Sequence, residues 1–454
     1  MQTPIPFYLE EILDAVRDNK DGDVADYIPE LAHADPDKLG IAMCTTSGHV
    51  YAVGDADYEF TIQSISKPFV YALALQELGP DKVAETVGVE PSGEAFNEMS
   101  LGDDGRPVNP MINAGAIAVN QLINGAESSP EERVETIRKF LSRLAGRELT
   151  IDAEVNDSEL QGADRNMSLA YMLRTYGIIE DAADDAVLTY TNQCSTLVTV
   201  KDLAVMSATL ANGGRQPVTG EKILDADVCR LTMAVMSSAG MYNQAGRWMA
   251  QVGIPAKSGV AGGLIGTLPG LLGISTLSPR LNEEGNSVRG VEAFKLMSKD
   301  MGLHLMSTVE RYGVNAVRSV RREGDDAVVR LQGYINFNAA ESILHEVFAQ
   351  YELEEKNILL DFSFVSGSSK IARRMLKEGL RRLREDGHHI AAIDPDGILS
   401  DRTLSDGTEV PLRDSSDVPA VASLVGDEKH KDAEQTSRDN QPDGEDYEIN
   451  GQGV

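Results

Sequence analysis

The sequence predicts a mixed α/β protein whose main sheet is assembled from both ends of a long first region, with a helical lobe between them. Three observations carry this. Apolar runs of strand character stand near both ends of residues 1–315, in Leu39–Val53 and Ala256–Leu277. Helical periodicity dominates the middle, at Ser64–Leu78, Pro130–Leu144, Met167–Tyr176 and Val200–Leu210. After residue 326 the rhythm changes to alternating short strands and helices, the pattern of a separate βαβα unit.

In chain order, Leu39–Val53 (LGIAMCTTSGHVYAV) reads as a hairpin turning at Ser47-Gly48. A short strand-like piece, Tyr58–Ile62, leads into an apolar helix that starts at Ser64 and stops at Gly79-Pro80. The stretch from Ser258 to Pro279 carries no charge, but it is glycine-rich and has a Pro269-Gly270 turn signal. Two buried strands joined by a turn explain it better than a membrane helix. A boundary is expected near Arg321–Asp325. Beyond it, Ala327–Asn336 alternates as a strand, Ala339–Glu352 is an amphipathic helix and Asn357–Val365 a second strand. Ser368–Arg384 is a strongly basic helix ended by Asp386-Gly387, and His388–Asp394 is a last strand. The expected units are therefore 1–315, 326–412 and an acidic, polar tail at 415–454 that lacks the apolar surface to order itself.

Composition bounds the function. A chain of 454 residues suits two or three domains, and a hydrophobic share of 42% supports a sizeable core. With 41 Lys and Arg against 72 Asp and Glu, the net charge of −31 argues against nucleic acid and anionic membranes. Cys44, Cys194 and Cys229 lie far apart, which fits neither a disulfide framework nor a zinc site and suits a reducing cytosol. The N-terminus has no basic segment followed by an apolar run, so a cytoplasmic location is expected. The seven histidines form no HExxH-type set. His388 and His389 would point to opposite faces of a strand, a poor metal pair.

The sharpest chemical signal is Gln63-Ser64-Ile65-Ser66-Lys67-Pro68-Phe69. Serine is favoured at a helix start, and Pro68 falls in the first turn, where its missing N–H loses no helical bond. Ser64 and Lys67, three residues apart, share one helix face. A lysine in a dry pocket can lose its proton near neutral pH and take one from the hydroxyl. Alone, the motif is also what an N-cap serine with a solvated lysine would look like. A second element supports the chemical reading: Lys257-Ser258-Gly259 resembles the Lys-Thr/Ser-Gly strand that lines the site of penicillin-recognising serine enzymes.

From roughly Tyr8 to Ser298 the chain resembles the serine-dependent glutaminase family. The segments that carry the likeness are VADYIPEL at Val24–Leu31, Gln63–Phe69, NPMINAGAI at Asn109–Ile117, ADRNM at Ala163–Met167, TLANGG at Thr209–Gly214, Gly240–Tyr242, GIPAKSGVAGG at Gly253–Gly263 and SPRLNEEGNSVRG at Ser278–Gly290. The resemblance implies a β-lactamase/penicillin-binding-protein-like catalytic fold and hydrolysis of L-glutamine to L-glutamate and ammonia through a glutamyl-enzyme. It implies Ser64 as nucleophile, Lys67 as its base, Tyr242 as proton relay and Val260 as a backbone oxyanion donor. It implies that Tyr27, Asn113, Glu159, Asn166 and Tyr190 bind substrate together with Ser64, Tyr242 and Val260. Asn113, Asn166 and the tyrosines suit the α-carboxylate, and Glu159 suits the α-ammonium. No metal or organic cofactor is required, and a homodimer or homotetramer is expected. The alternatives are a β-lactamase or penicillin-binding acylase, which would need export and a Ser-x-Asn motif, and a catalytically inactive regulatory protein.

Residues 326–412 resemble a STAS domain, through the strand NILLDFSFV leading into Ser366-Gly367-Ser368-Ser369. In that family an Asp-Ser-Ser-Gly turn presents a phosphorylatable serine. Here Gly367 and Lys370 replace the flanking Asp and Gly, which leaves Ser368 a weak candidate and favours a structural appendage. The basic face of Ser368–Arg384 would suit docking on the acidic catalytic domain of a neighbour.

Overall fold

The computed structural model describes residues 4–92, 101–307, 316–323, 326–351 and 357–414; the tail expected to be disordered lies outside them. Its strands are β1 (Gly40–Thr45), β2 (Val50–Gly54), β3 (Phe60–Thr61), β4 (Leu197–Val198), β5 (Ala256–Ser258), β6 (Gly263–Leu268), β7 (Leu272–Leu277), β8 (Val317–Glu323), β9 (Asp326–Ile335), β10 (Asn357–Ser368) and β11 (His389–Ile393). The first sheet has the order β2-β1-β7-β6-β5, all neighbours antiparallel. β1 pairs with β7 from Gly40 opposite Leu277 to Thr45 opposite Leu272, so the sheet joins the two ends of the first region, as the sequence predicts.

Side chains on successive positions of a strand point to opposite faces. Ile41 and Met43 of β1 join the core that includes helices Ile5–Arg17 and Val288–Met301. Ala42 and Cys44 join the core that includes helices Ser66–Leu78 and Val200–Ala211. Every residue of β1, β6 and β7 is buried, because helices cover both faces. This is why the uncharged Ser258–Pro279 stretch is not a membrane segment. Among the described residues no helix is long and apolar enough to cross a membrane. Helix Val200–Ala211 lies so close to β7 that a Cβ on Gly273 would stand 2.3 Å from the Ala208 nitrogen and 2.4 Å from the Ala204 oxygen.

The second sheet has the order β11-β10-β9-β8, with β9, β10 and β11 parallel and β8 antiparallel to β9. The change of rhythm expected at Arg321–Asp325 therefore falls within this sheet, which starts ahead of it at Val317. Helices Phe337–Tyr351 and Lys370–Glu385 cover one face. Ser368 ends β10, and Ser369 is the N-cap, accepting from the Ala372 N–H at 3.2 Å. The Ser368 hydroxyl donates to the Ile398 carbonyl at 3.0 Å. Part of the basic face of the following helix is engaged within the chain. Arg374 pairs with Glu11 at 2.8 Å, Lys377 with Asp401 at 3.0 Å, and both Arg381 and Arg382 with Glu378. One hydrophobic cluster runs from helix Ile5–Arg17 through Phe294 to Phe337, Leu360 and Leu380, so the apolar core is continuous between the two sheets.

Replacing Gly273 with alanine forces helix and strand apart, at an expected cost of about 1–3 kcal/mol. Gly246, in helix Ala245–Gln251, has open space around the position of a Cβ. Gly246→Ala is expected to be neutral or to stabilise by up to about 1 kcal/mol. Urea midpoints of the two variants test the contrast, and equal midpoints would refute the close-approach account.

Candidate active site

Four short pieces of chain meet at the end of the first sheet. Gln63–Ile65 forms a 3₁₀ turn, and the α-helix begins at Ser66. Ser64 thus sits on a tight turn just ahead of the helix rather than capping it. Gln63 has φ +51° and Tyr242 φ +52°. These are two of only four non-glycine residues with positive φ among the described residues, and both adjoin the hydroxyl of Ser64. Such backbone costs on the order of 1–3 kcal/mol each and tends to gather where a reactive group must be presented. Tyr242 reaches this place because Gly240 brings its turn against β5; a Cβ on Gly240 would stand 1.9 Å from the Ala256 oxygen.

A cavity of about 350 Å³ opens here, at the lower end of the range for small-molecule sites. Tyr27, Ser64, Asn113, Glu159, Asn166, Tyr190 and Val260 all line it. Of the residues singled out in the sequence, only Lys67 and Tyr242 are not on the wall, and both are tied to it from behind. Lys67 is 1% exposed and donates to the Asn113 Oδ1 at 2.6 Å. Its nitrogen lies 5.7 Å from the centre of the Tyr242 ring, and the Tyr242 phenol hydrogen-bonds Ser64. Burial pulls the Lys67 amine down to about 8. Burial raises the Tyr242 phenol above its ordinary value, and the Ser64 hydrogen bond partly opposes this.

Asn113 is the hub of the polar wall. Its Oδ1 accepts from Lys67 and from the Tyr190 hydroxyl at 3.3 Å, and its Nδ2 donates to the Asn166 Oδ1 at 3.2 Å. Across the cavity, Glu159 Oε1 accepts from the Tyr27 hydroxyl at 2.8 Å and from Gln63 Nε2 at 3.3 Å. Burial raises the Glu159 carboxyl pKa, and these two bonds oppose the rise. The turn between β5 and β6 supplies the last feature. The Gly259 and Gly262 N–H groups are used inside it, bonding Gly263 O at 2.9 Å and Gly259 O at 3.0 Å. The Val260 N–H has no partner among the described residues, and Val260 lines the cavity beside Ser64.

Three residues went unassigned in the sequence. Lys257 appeared only as part of a strand motif. It is fully buried, donates to the Tyr242 hydroxyl at 2.7 Å, and lies 4.0 Å from the centre of that ring. Burial holds its amine well below the ordinary lysine value, and the nearby Lys67 lowers it further. Gln63 forms part of the wall, and its place beside the candidate nucleophile Ser64 was the available signal. Arg165 also lines the cavity and adjoins Asn166 in the ADRNM segment. Cys194 lines the cavity as well, but burial pushes its thiol up to about 11, so it stays protonated and is no rival nucleophile.

The chain was compared with known proteins. A family model described as Glutaminase matches residues 22–306. A glutaminase of Corynebacterium glutamicum is 61% identical over 405 residues, covering 89% of this chain and 98% of its own. A glutaminase of Corynebacterium efficiens is 60% identical over 412 residues, covering 90% of this chain and 97% of its own. Among solved structures, a crystal structure of Mglu in its glutamate form is similar at TM-score 0.67 and 46% identity, covering 88% of this chain and all of that one.

The Lys67 value has a direct consequence. Labelling of Ser64 by a fluorophosphonate is expected to fall about tenfold per pH unit below about pH 8, as Lys67 gains its proton, and to level off above it. Mass spectrometry of the labelled peptide measures the rate. A pH-independent rate between 6 and 9 would remove Lys67 as the base.

Proposed function

The chain belongs to the glutaminase family, and we propose that it hydrolyses L-glutamine to L-glutamate and ammonia with Ser64 as nucleophile and Lys67 as its base. The observation that carries the reading is the burial of Lys67 behind the wall that holds Ser64. At pH 7 an amine titrating at about 8 is neutral in about one molecule in ten; at the ordinary lysine value it would be neutral in about one in three thousand.

The substrate enters with its α-ammonium toward Glu159, the half-buried carboxylate held by Tyr27 and Gln63. Asn113, Asn166 and Tyr190 supply hydrogen bonds to the α-carboxylate. Lys67 takes the Ser64 proton, and the Oγ attacks the side-chain amide carbon. The Val260 N–H, with that of Ser64, holds the oxygen as it becomes negative. The carbon–nitrogen bond then breaks, and Tyr242 delivers the proton that lets ammonia leave. Lys257, 2.7 Å from the Tyr242 oxygen, steadies the phenolate left behind. Water attacks the glutamyl ester by the reverse path, giving glutamate and restoring Ser64. No step calls on a metal or organic cofactor. In this reading residues 1–315 carry the catalysis and 326–412 form a STAS-like structural appendage. The protein works in the cytoplasm as a homodimer or homotetramer.

Ser64→Ala is expected to abolish ammonia release, by about 10³-fold or more, with an unchanged circular dichroism spectrum. Glu159→Gln should lower kcat/KM for glutamine by about 10- to 100-fold, the worth of one charge-assisted contact. Both are read by coupled ammonia assay, with nitrocefin run beside glutamine. Full activity of Ser64→Ala, or turnover of nitrocefin without ammonia from glutamine, would overturn the assignment.

A further inference from the structure

Behind the turn that carries Ser64 lies a run of buried polar side chains to which the mechanism above gives no part. It begins at Arg133, in helix Pro130–Ala145, and ends on the backbone carbonyl of Gln63. The Arg133 guanidinium donates to Gln121 Oε1 at 2.9 Å. Gln121 Nε2 donates to Asn120 Oδ1 at 2.9 Å, and Asn120 Nδ2 donates to Gln193 Oε1 at 2.9 Å. Gln193 Nε2 donates to the Ser66 hydroxyl at 2.9 Å, and that hydroxyl donates to the Gln63 oxygen at 2.7 Å. Five hydrogen bonds thus run head to tail from a cation to one peptide carbonyl. None of the residues in the run is more than 8% exposed.

The direction of the run is set at its far end. A guanidinium has only donors, so Gln121 turns its carbonyl to Arg133 and its amide nitrogen inward. Asn120 then presents its oxygen to Gln121, and the Thr189 hydroxyl donates to that same oxygen at 2.7 Å. Gln193, in turn, faces Asn120 with its oxygen and Ser66 with its nitrogen. Ser66 has a single hydroxyl hydrogen. Gln193 occupies a lone pair of the oxygen, which leaves that hydrogen for Gln63. Asp181 holds Arg133 from its other side at 2.6 Å.

We propose that Ser66 and Gln193 are positioning residues, which aim and polarise the Gln63–Ser64 peptide so that the Ser64 N–H binds the oxyanion. The inference rests on the reading of Ser64 as nucleophile given above. Neither residue lines the cavity, so both act through Gln63 rather than on the substrate. The Gln63 carbonyl and the Ser64 N–H belong to one planar unit, so whatever fixes the first aims the second. Gln63 has φ +51°, a conformation that persists only where its surroundings impose it. Its side chain is held by Thr61 at 3.2 Å and Glu159 at 3.3 Å, and its carbonyl by the Ser66 hydroxyl and the Ser66 backbone N–H. Bonds in such a run also strengthen one another, by about 10–30% each, and a carbonyl that accepts strongly leaves its own peptide N–H a better donor.

The test measures kcat and KM for glutamine, and the rate at which a fluorophosphonate labels Ser64, in Ser66→Ala, Gln193→Met and the double variant. Circular dichroism checks the fold of each. Both single variants take away the oriented donor to Gln63. Each is expected to lower kcat by about 10-fold and to leave KM within about twofold, since the contact matters as the oxyanion forms. The labelling rate at high pH should fall by a similar factor, while its pH midpoint stays at about 8, the Lys67 value. The double variant should lose no more than either single one, because both changes act through one bond. If either does not fold, Ser66→Cys, of nearly the same shape and a weak donor, is measured in its place and should show the same loss. Labelling makes no use of glutamine. Slower labelling of the variants beside an unmodified chain that releases no ammonia would sink the substrate and keep the inference. Unchanged kcat and labelling in folded variants, losses that add, or a midpoint that moves toward the ordinary lysine value would overturn it and leave a network that only stabilises the fold.

Discussion

The proposed chemistry depends on taking the Lys67 amine out of water. Moving a lysine from its ordinary value to about 8 corresponds to about 3 kcal/mol of disfavoured charge. That requires a dry enclosure, and neither the sheet nor the helical lobe makes one alone. The lysine rises from the first turn of helix Ser66–Leu78, Asn113 closes over it from helix Asn113–Asn120, and Tyr242 covers it from beyond helix Ala226–Ala239. The pairing of β1 with β7 brings the turn at Val260 to the same place, although it lies almost two hundred residues from Ser64. The same enclosure holds a second amine, Lys257, well below its ordinary value, by burial first and by the nearby Lys67 second.

Much of this was legible in the sequence, for reasons that differ by element. The hairpin at Leu39–Val53 and the strands flanking Pro269-Gly270 were legible because turn chemistry and alternation are local. Helix Pro130–Ala145 was legible because it opens with a Ser129–Glu132 capping box and ends at a left-handed Gly146. The site was legible mainly through the family likeness. Its nine residues were named that way, and seven line one cavity with the other two just behind. Nothing local marks Gln63 or Tyr242 as left-handed, since both have side chains that ordinarily avoid that region. The role of Lys257 was hidden because its partner, Tyr242, meets it only through the approach of Gly240 to β5.

The boundary near residue 321 shows how a local signal can be accurate and still misplace a unit. Arg321–Asp325 does break the sequence pattern, with a run of charges. The break falls between two antiparallel strands of one sheet, because the charges of β8 (VRSVRRE) hid it as a strand. The basic helix stood out against an acidic chain and suggested a partner; in the fold Glu11, Glu378 and Glu385 pair with Arg374, Arg381 and Arg382, and Asp401 pairs with Lys377.

The same logic bears on how the two sheets are held together. A continuous apolar cluster joins them, and apolar contact sets distance more strictly than orientation. Orientation needs directional contacts, and the described junction has two kinds. Arg374 reaches Glu11 at an exposed edge, where an ion pair contributes little. Tyr51, His49 and His345 meet at the buried Glu341 carboxylate, where hydrogen bonds are specific in direction. The second point therefore adds directional contacts between the sheets. It draws on the strand β2, which pairs with β1, so whatever fixes it acts on the sheet whose far strand, β5, leads into the turn at Val260. The contacts of the second unit in this sense reach the sheet that carries the proposed catalytic site.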